Sequence, residues 1–456
     1  MKRSSVNPAV KSIPALGVKI FFLILTAVVI NSCSYRKIQP EPQCPPTASG
    51  GFVVVSHTER TSQDVMEQVN MQPNYPGYYD YTDMYLSTQA DAGGNGLSIN
   101  LIAHDVVHYT STDNNGNPVT LSGLLVYPWS AWKTLKAPIV SVDHGTILMK
   151  NLAPSRWKKA SYSDWKKFPE MAVADVLCLW YGWIIIMPDY QGMGDDSTEN
   201  HPYCIRDRLG VATADMLQAA EDYYTCNGNT YVTWDGQAFL YGYSEGGYVT
   251  MAAAKELESR NVKLNGVVCM DGPYDLSGTM LNTMLSDDPF PVPYFLPMML
   301  VGYNTMYPGI YDYTSVLKEP YRTDIPKYTT GFYDIPVVNN IMPQDKILKK
   351  VFTDSFYEAL KNSQSQAFQT MRDNNSYLGW IPKSKMLIWH CKNDDCVPFG
   401  NLVAARDRFS TLGISNIEYV EWPAVEHDPG GSTVHVSIAP TAFMEGAKWI
   451  YHLSKK

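Results

Sequence analysis

Short strand-like runs separated by helix-like stretches constrain this chain of 456 residues more than any other feature. The runs lie at residues 137–142, 183–190, 237–241, 264–270, 385–390 and 417–421. Several are apolar at consecutive positions, as in Trp183-Ile184-Ile185-Ile186-Met187, so both faces of the strand call for cover. Helical spacing appears at 175–181, 208–224, 248–260 and 441–453; in the second of these Leu209, Ala212, Met216, Ala219 and Ala220 share one side. Strands alternating with helices predict a mostly parallel sheet with helices on both faces. Ahead of them, residues 97–129 read as a β-hairpin turning at Asn114-Asn115-Gly116-Asn117.

The alternation stops between residues 276 and 383, a stretch rich in Pro, Tyr and Met. It is too long for a loop and predicts an inserted, largely helical cap, with 344–373 helical. Within it Phe290, Phe295, Leu296, Met298, Met299 and Leu300 are candidates to line an apolar pocket, although packing of the cap on the core accounts for most of them. With 31 Tyr, 14 Phe and 11 Trp the chain is too aromatic for a solvated, disordered one. A formal charge of −9 argues against a nucleic-acid partner, which calls for a basic footprint.

The N-terminus reads as an address. Lys2, Arg3, Lys11 and Lys19 precede the apolar run 20–30, which is shorter than the roughly 20 residues a membrane span needs. The run ends at Ile30-Asn31-Ser32-Cys33, which resembles a bacterial lipobox and implies that Cys33 becomes the lipidated first residue. Residues 1–32 hold four of the 36 basic residues and none of the 45 acidic ones, so the processed chain carries −13. The expected organisation is a lipoprotein signal peptide at 1–32, a flexible tether at 33–50, a core in two parts at 51–275 and 384–456, and the cap at 276–383. The expected location is outside the bacterial cytoplasm, anchored by lipid at the outer membrane. Export permits disulfides, and Cys391 with Cys396 and Cys204 with Cys226 are candidate pairs. Cys178 and Cys269 sit in apolar runs and read as buried hydrophobes, and Cys44 falls in the tether.

Chemistry concentrates at Gly242-Tyr243-Ser244-Glu245-Gly246-Gly247, a G-x-S-x-G pattern between a strand and a helix. In that setting Ser244 occupies the apex of a sharp turn, and Gly242 and Gly246 let strand and helix approach. A serine needs a base, and the base needs an acid to orient it. In the order Ser, acid, His, the acid candidates are Asp394 and, as runner-up, Asp395, in the turn after strand 385–390. The base is His435, at the entrance to the last helix, with His427 as the competitor. Backbone donors for an oxyanion are expected from Glu245, next to the nucleophile, and from Thr146, after Val142-Asp143-His144-Gly145. No Cys/His cluster with metal-ligand spacing is apparent, and the chemistry needs neither metal nor cofactor.

Together these pieces resemble the α/β-hydrolase superfamily, and within it the secretory lipase family of fungi and bacteria. The resemblance rests on the hairpin from Tyr109-Thr110-Ser111-Thr112-Asp113 to Leu124-Leu125-Val126-Tyr127-Pro128, the loop Asp189-Tyr190-Gln191-Gly192-Met193-Gly194, and the Ser244 turn, where Glu245 replaces the more usual Gln. Bacterial members place a His shortly before an Ala-Pro or Pro in the last helix, which favours His435, whereas the Glu-His pair of fungal members favours His427. The resemblance implies a serine hydrolase that cleaves carboxylic esters or lipids through an acyl-enzyme, and the lipobox-like segment ending at Cys33 implies that it is lipid-anchored. The alternatives are a peptidase or acyltransferase on the same fold, or a surface lipoprotein that only binds ligands.

Overall fold

The computed structural model describes residues 51–65, 99–129, 134–159, 169–196, 200–227, 231–427 and 433–455. Cys33, Cys44 and the whole N-terminal segment lie outside the described residues. Nine strands form one sheet: β1 Val53–Thr61, β2 Leu101–Thr112, β3 Pro118–Pro128, β4 Leu135–Asp143, β5 Ile184–Pro188, β6 Val232–Tyr243, β7 Gly266–Met270, β8 Met386–Cys391 and β9 Ile417–Trp422. Their spatial order is β1-β2-β3-β5-β4-β6-β7-β8-β9. Strands β4 to β9 pair in parallel, whereas β1, β2 and β3 pair antiparallel, and β3 joins the parallel part by antiparallel pairing with β5.

Side chains alternate across a strand, and here the two sets enter two different cores. Val140, Val142, Tyr241, Val268, Met270 and Trp389 face a layer made by helix α1, Pro169–Tyr181, and the C-terminal helix. Their neighbours Ile139, Leu240, Val267, Cys269 and Ile388 face helices α2, Arg206–Asn227, and α3, Glu245–Ser259. Burial on both sides explains why these runs are apolar at consecutive positions. Strand β1 escapes that signature: its exposure alternates along its length, and it forms the sheet edge ahead of the predicted hairpin. Helix α3 and the hairpin fall where the sequence pattern puts them, with strand and helix ends extended by a few residues.

Between β7 and β8 the chain is helical, as expected of the insertion. Helix α4, Phe295–Met306, is its longest helix and carries Leu296, Met298, Met299 and Leu300 into a third apolar cluster. Phe290 and Phe295 are buried in the same cluster, so these six residues pack. The predicted helical stretch 344–373 is corrected: it is a 3-10 turn, Leu348–Val351, and two helices, Asp354–Lys361 and Gln366–Asp373. The breaks are chemical. Thr353 and Ser365 accept hydrogen bonds from the amides of Phe356 and Phe368, capping two new helix starts, and Ser363 between them has φ 57°. Helix α5, Gly400–Thr411, follows β8, and α6, Val434–Ser454, closes the chain. Helix α6 starts ahead of the predicted 441, so His435 lies within its first turn.

Both disulfide expectations are also corrected: Cys204, Cys226, Cys391 and Cys396 are free thiols. Cys391 sits at the end of β8 with Sγ towards Asn393 Oδ1 and the Pro423 carbonyl, and Cys396 directs its thiol to Asp395. The loop between them is braced by polar contacts instead. Cys178 and Cys269 are buried, as their apolar surroundings predicted.

Candidate active site

Strand β6 delivers the chain into Ser244, which has φ 60° and ψ −128° and immediately precedes α3. A non-glycine residue held at positive φ stores strain of order 1–3 kcal/mol, and only tight packing maintains it. That packing depends on the flanking glycines. A Cβ on Gly242 would lie 2.3 Å from the Gly246 carbonyl oxygen, and one on Gly246 would lie 1.9 Å from the Asp143 carbonyl oxygen. Strand β4 and the start of α3 therefore touch backbone to backbone, which draws the loop after β4 up to the serine.

Around Ser244 the sequence candidates come together. Ser244 Oγ lies 2.8 Å from His435 Nε2, and His435 Nδ1 lies 2.5 Å from Asp394 Oδ2. With Nδ1–H donating to the carboxylate, Nε2 is left to accept from the serine hydroxyl. Asp394 Oδ1 accepts from the amides of Cys396 and Val397 at 2.9 and 2.8 Å. Burial pushes the Asp394 carboxyl up, but the attraction of His435 and these amides outweighs it, so it stays below its ordinary pKa. Tyr243 Oη donates to the His435 carbonyl at 2.6 Å and anchors the backbone that carries the imidazole.

The competing candidates are placed elsewhere. His427 is exposed in the loop after β9. Asp395 turns its carboxylate to the start of α6, where it accepts from the amides of Val434 and His435 at 3.1 and 3.2 Å. The Gly145 amide is engaged by Glu170 Oε1 at 2.9 Å, while among the described residues the amides of Thr146 and Glu245 donate to nothing. Ile147 and Leu148, next along the chain from Thr146, line a small cleft together with His201 and, from α4, Met298 and Val301.

A scan against protein-family models matches residues 170–452 to the secretory lipase family. The chain belongs to the secretory lipase family. It is accordingly a carboxylic ester hydrolase. A comparison with curated protein sequences finds no match. Solved structures share the fold. A protein of Legionella pneumophila superposes with a TM-score of 0.71 at 20% identity, over 89% of this chain and 98% of the other. The rice cell wall degrading esterase LipA from Xanthomonas oryzae gives 0.66 at 20% identity, over 89% and 97%. Candida antarctica lipase A gives 0.56 at 16%, over 82% and 77%.

Three side chains of this secretory lipase family member carry weight in the site without having been legible as such. Glu170, on the first turn of α1, reaches back to the Gly145 amide; burial raises its pKa, and it lies against the loop that bears Thr146. His201 pairs with Glu245 through Nε2 and Oε1 at 2.8 Å. Asp189, from the loop that resembles the family's, accepts from Ser122 Oγ at 2.6 Å and the Ser155 amide at 2.8 Å, tying hairpin to loop. A carboxylate at the end of a strand was the available signal for Asp189. Nothing local marks Glu170 or His201, whose partners lie 25 and 44 residues away.

Proposed function

We propose that the protein is a serine esterase in which Ser244 is the nucleophile, His435 the general base and Asp394 the acid that orients it. The observation that carries this reading is the continuous contact from Ser244 Oγ through both nitrogens of His435 to Asp394. Ser244 Oγ attacks the ester carbonyl carbon as its proton passes to His435 Nε2. The carbonyl oxygen takes the negative charge and is held by the amides of Thr146 and Glu245. Collapse breaks the bond to the alcohol, which leaves with the proton from His435. Water then repeats the sequence on the acyl-enzyme, giving up a proton to His435, and releases the acid. Asp394 keeps the tautomer in which Nε2 is free to accept.

Residues 276–383 act in this reading as the cap that selects the substrate, over a core formed by 51–275 and 384–456. Met298 and Val301 of α4 line a cleft with Ile147 and Leu148, and in this reading they supply an apolar wall for an acyl or alkyl group. The N-terminal pattern supports export with removal of 1–32, lipid attachment at Cys33 to the outer membrane, and a tether at 33–50.

The test is activity-based labelling with a fluorophosphonate together with hydrolysis of a panel of acyl esters of increasing chain length. Ser244→Ala abolishes labelling, and Ser244→Ala, His435→Ala and Asp394→Asn each lower kcat by about 10³-fold or more. His427→Ala and Asp395→Asn leave both readouts within about three-fold. Loss of activity at His427 with retention at His435 would reverse the assignment of the base. Metabolic labelling with a fatty acid, lost in Cys33→Ser, tests the anchor.

A further inference from the structure

Strand β7 ends at Met270, and the next residue, Asp271, is fully buried at a left-handed φ of 41°. A non-glycine residue in that conformation is strained, so something holds it there. The hold comes from β8: the Asp271 amide donates to the Trp389 carbonyl at 3.0 Å, and the Cys391 amide donates to Asp271 Oδ1 at 2.9 Å. Among the described residues no donor reaches Asp271 Oδ2. The carboxyls of Asp271 and Asp394 and the imidazole of His390 lie within 4.8 Å of one another, all three buried.

Two carboxylates this close in a dry site do not both ionise. Asp394 has the partners of an anion: two amides on Oδ1 and His435 on Oδ2. Asp271 has one amide on Oδ1, with His390 Nε2 3.4 Å from the same oxygen, and a bare Oδ2. The other titratable groups facing Asp271 bring no charge. His390 donates Nε2–H to the Val397 carbonyl at 2.8 Å, and burial holds its pKa down to about 4. Tyr243 and Tyr274 are pushed well above their ordinary pKa by burial, and the Cys391 thiol is pushed up to about 11. Burial and the neighbouring Asp394 charge push the Asp271 carboxyl well above the carboxylate range.

We propose that Asp271 is a positioning residue for the site: a neutral carboxylic acid, protonated at Oδ2, that stands behind Asp394 and donates its O–H to that carboxylate. The proposal rests on the reading of Ser244, His435 and Asp394 as the catalytic triad. The donated proton does two things. It braces Asp394 on the side that His435 and the loop amides leave open. It also draws off part of the charge that Asp394 presents to His435, which keeps the imidazole neutral, and able to accept a proton, to lower pH.

The experiment compares the pH profiles of kcat/KM, and separately kcat and KM, for wild type, Asp271→Asn and Asp271→Gly on a short-chain p-nitrophenyl ester. Asparagine tolerates the left-handed φ and retains a donor but cannot ionise; glycine suits the φ and removes the group. Asp271→Asn is expected to keep kcat within about three-fold with the acidic limb unmoved. Asp271→Gly is expected to lower kcat by about ten-fold with KM nearly unchanged and to move the acidic limb up by about half a pH unit. A downward move of the limb in Asp271→Asn would mean that wild type carries a charge at this position, and the proposal falls. It falls equally if folded Asp271→Gly keeps the wild-type kcat and limb. If thermal melting shows the glycine variant unfolded, the asparagine profile decides alone. Failure of the triad reading is distinct, because Ser244→Ala would then retain hydrolysis.

Discussion

Glu245 contributes its amide to the proposed oxyanion site and its side chain to a buried pair. His201 Nδ1 faces the Gln191 carbonyl at 3.1 Å and so carries a proton, while Nε2 meets Glu245 Oε1 at 2.8 Å. The pair is therefore either imidazolium with carboxylate or imidazole with carboxylic acid, and it is uncharged overall in both cases. A carboxylate beside the nucleophile thus adds no net charge where the oxyanion forms. Glu245→Gln is expected to change kcat/KM by less than about three-fold. His201→Leu leaves Glu245 buried without its partner and is expected to lower kcat/KM by about ten- to a hundred-fold and stability by about 3–5 kcal/mol. The double variant should recover most of both losses, and a double-mutant cycle of kinetics and thermal unfolding checks it.

Helix α6 shows how an element rather than a residue positions the proposed base. Its first turn carries His435, and its free amides are met by Asp395, with Thr433 Oγ1 accepting from Val436. Adjacent carboxylates thus divide the work: Asp394 faces the ring and Asp395 faces the backbone that bears it. Asp395→Ala is expected to cost about 1 kcal/mol through loss of the cap. It should lower kcat several-fold while KM holds, as measured by unfolding and steady-state kinetics. At the other junction the contact between β4 and α3 leaves no volume. Gly246→Ala would drive a Cβ into the Asp143 carbonyl, and backbone cannot yield as a side chain tip does. Loss of soluble folded protein is the expected outcome, read by expression and circular dichroism.

Across the whole molecule the buried acids set how stability responds to pH. Asp143 sits fully buried at the end of β4 and accepts hydroxyl bonds from Ser141, from Thr213 of α2 and from Thr250 of α3. Burial raises its pKa to about 7, and the three hydroxyls only partly offset that. The unfolded carboxyl ionises near its ordinary value, so between about pH 4 and 7 the folded chain holds a proton that the unfolded chain has released. Its contribution to stability is complete below that window and is lost as pH rises through it. Asp143→Asn should flatten this part of the profile, and the difference between the two proteins in thermal midpoint from pH 4.5 to 7.5 checks it.

Much of this protein was legible because its signals are local. Consecutive apolar residues reported strands buried on two faces, and Ser244 with its glycines reported a strand–turn–helix junction. What stayed hidden depends on distance along the chain. Strand β1 is half exposed, so it lacks the apolar run that revealed its neighbours. The Cys391 and Cys396 spacing suggested a bond that the folded loop does not make. The layered α/β plan, the helical insertion and the turn at Ser244 follow from residue periodicity and short-range sterics. Folding is what brings Asp394 rather than Asp395 to an imidazole, sets His435 against Ser244, and places Asp271 near Asp394, Glu170 at Gly145 and His201 at Glu245. Those choices depend on where strands and helices end in space, and a chain position carries no such information until the core has packed.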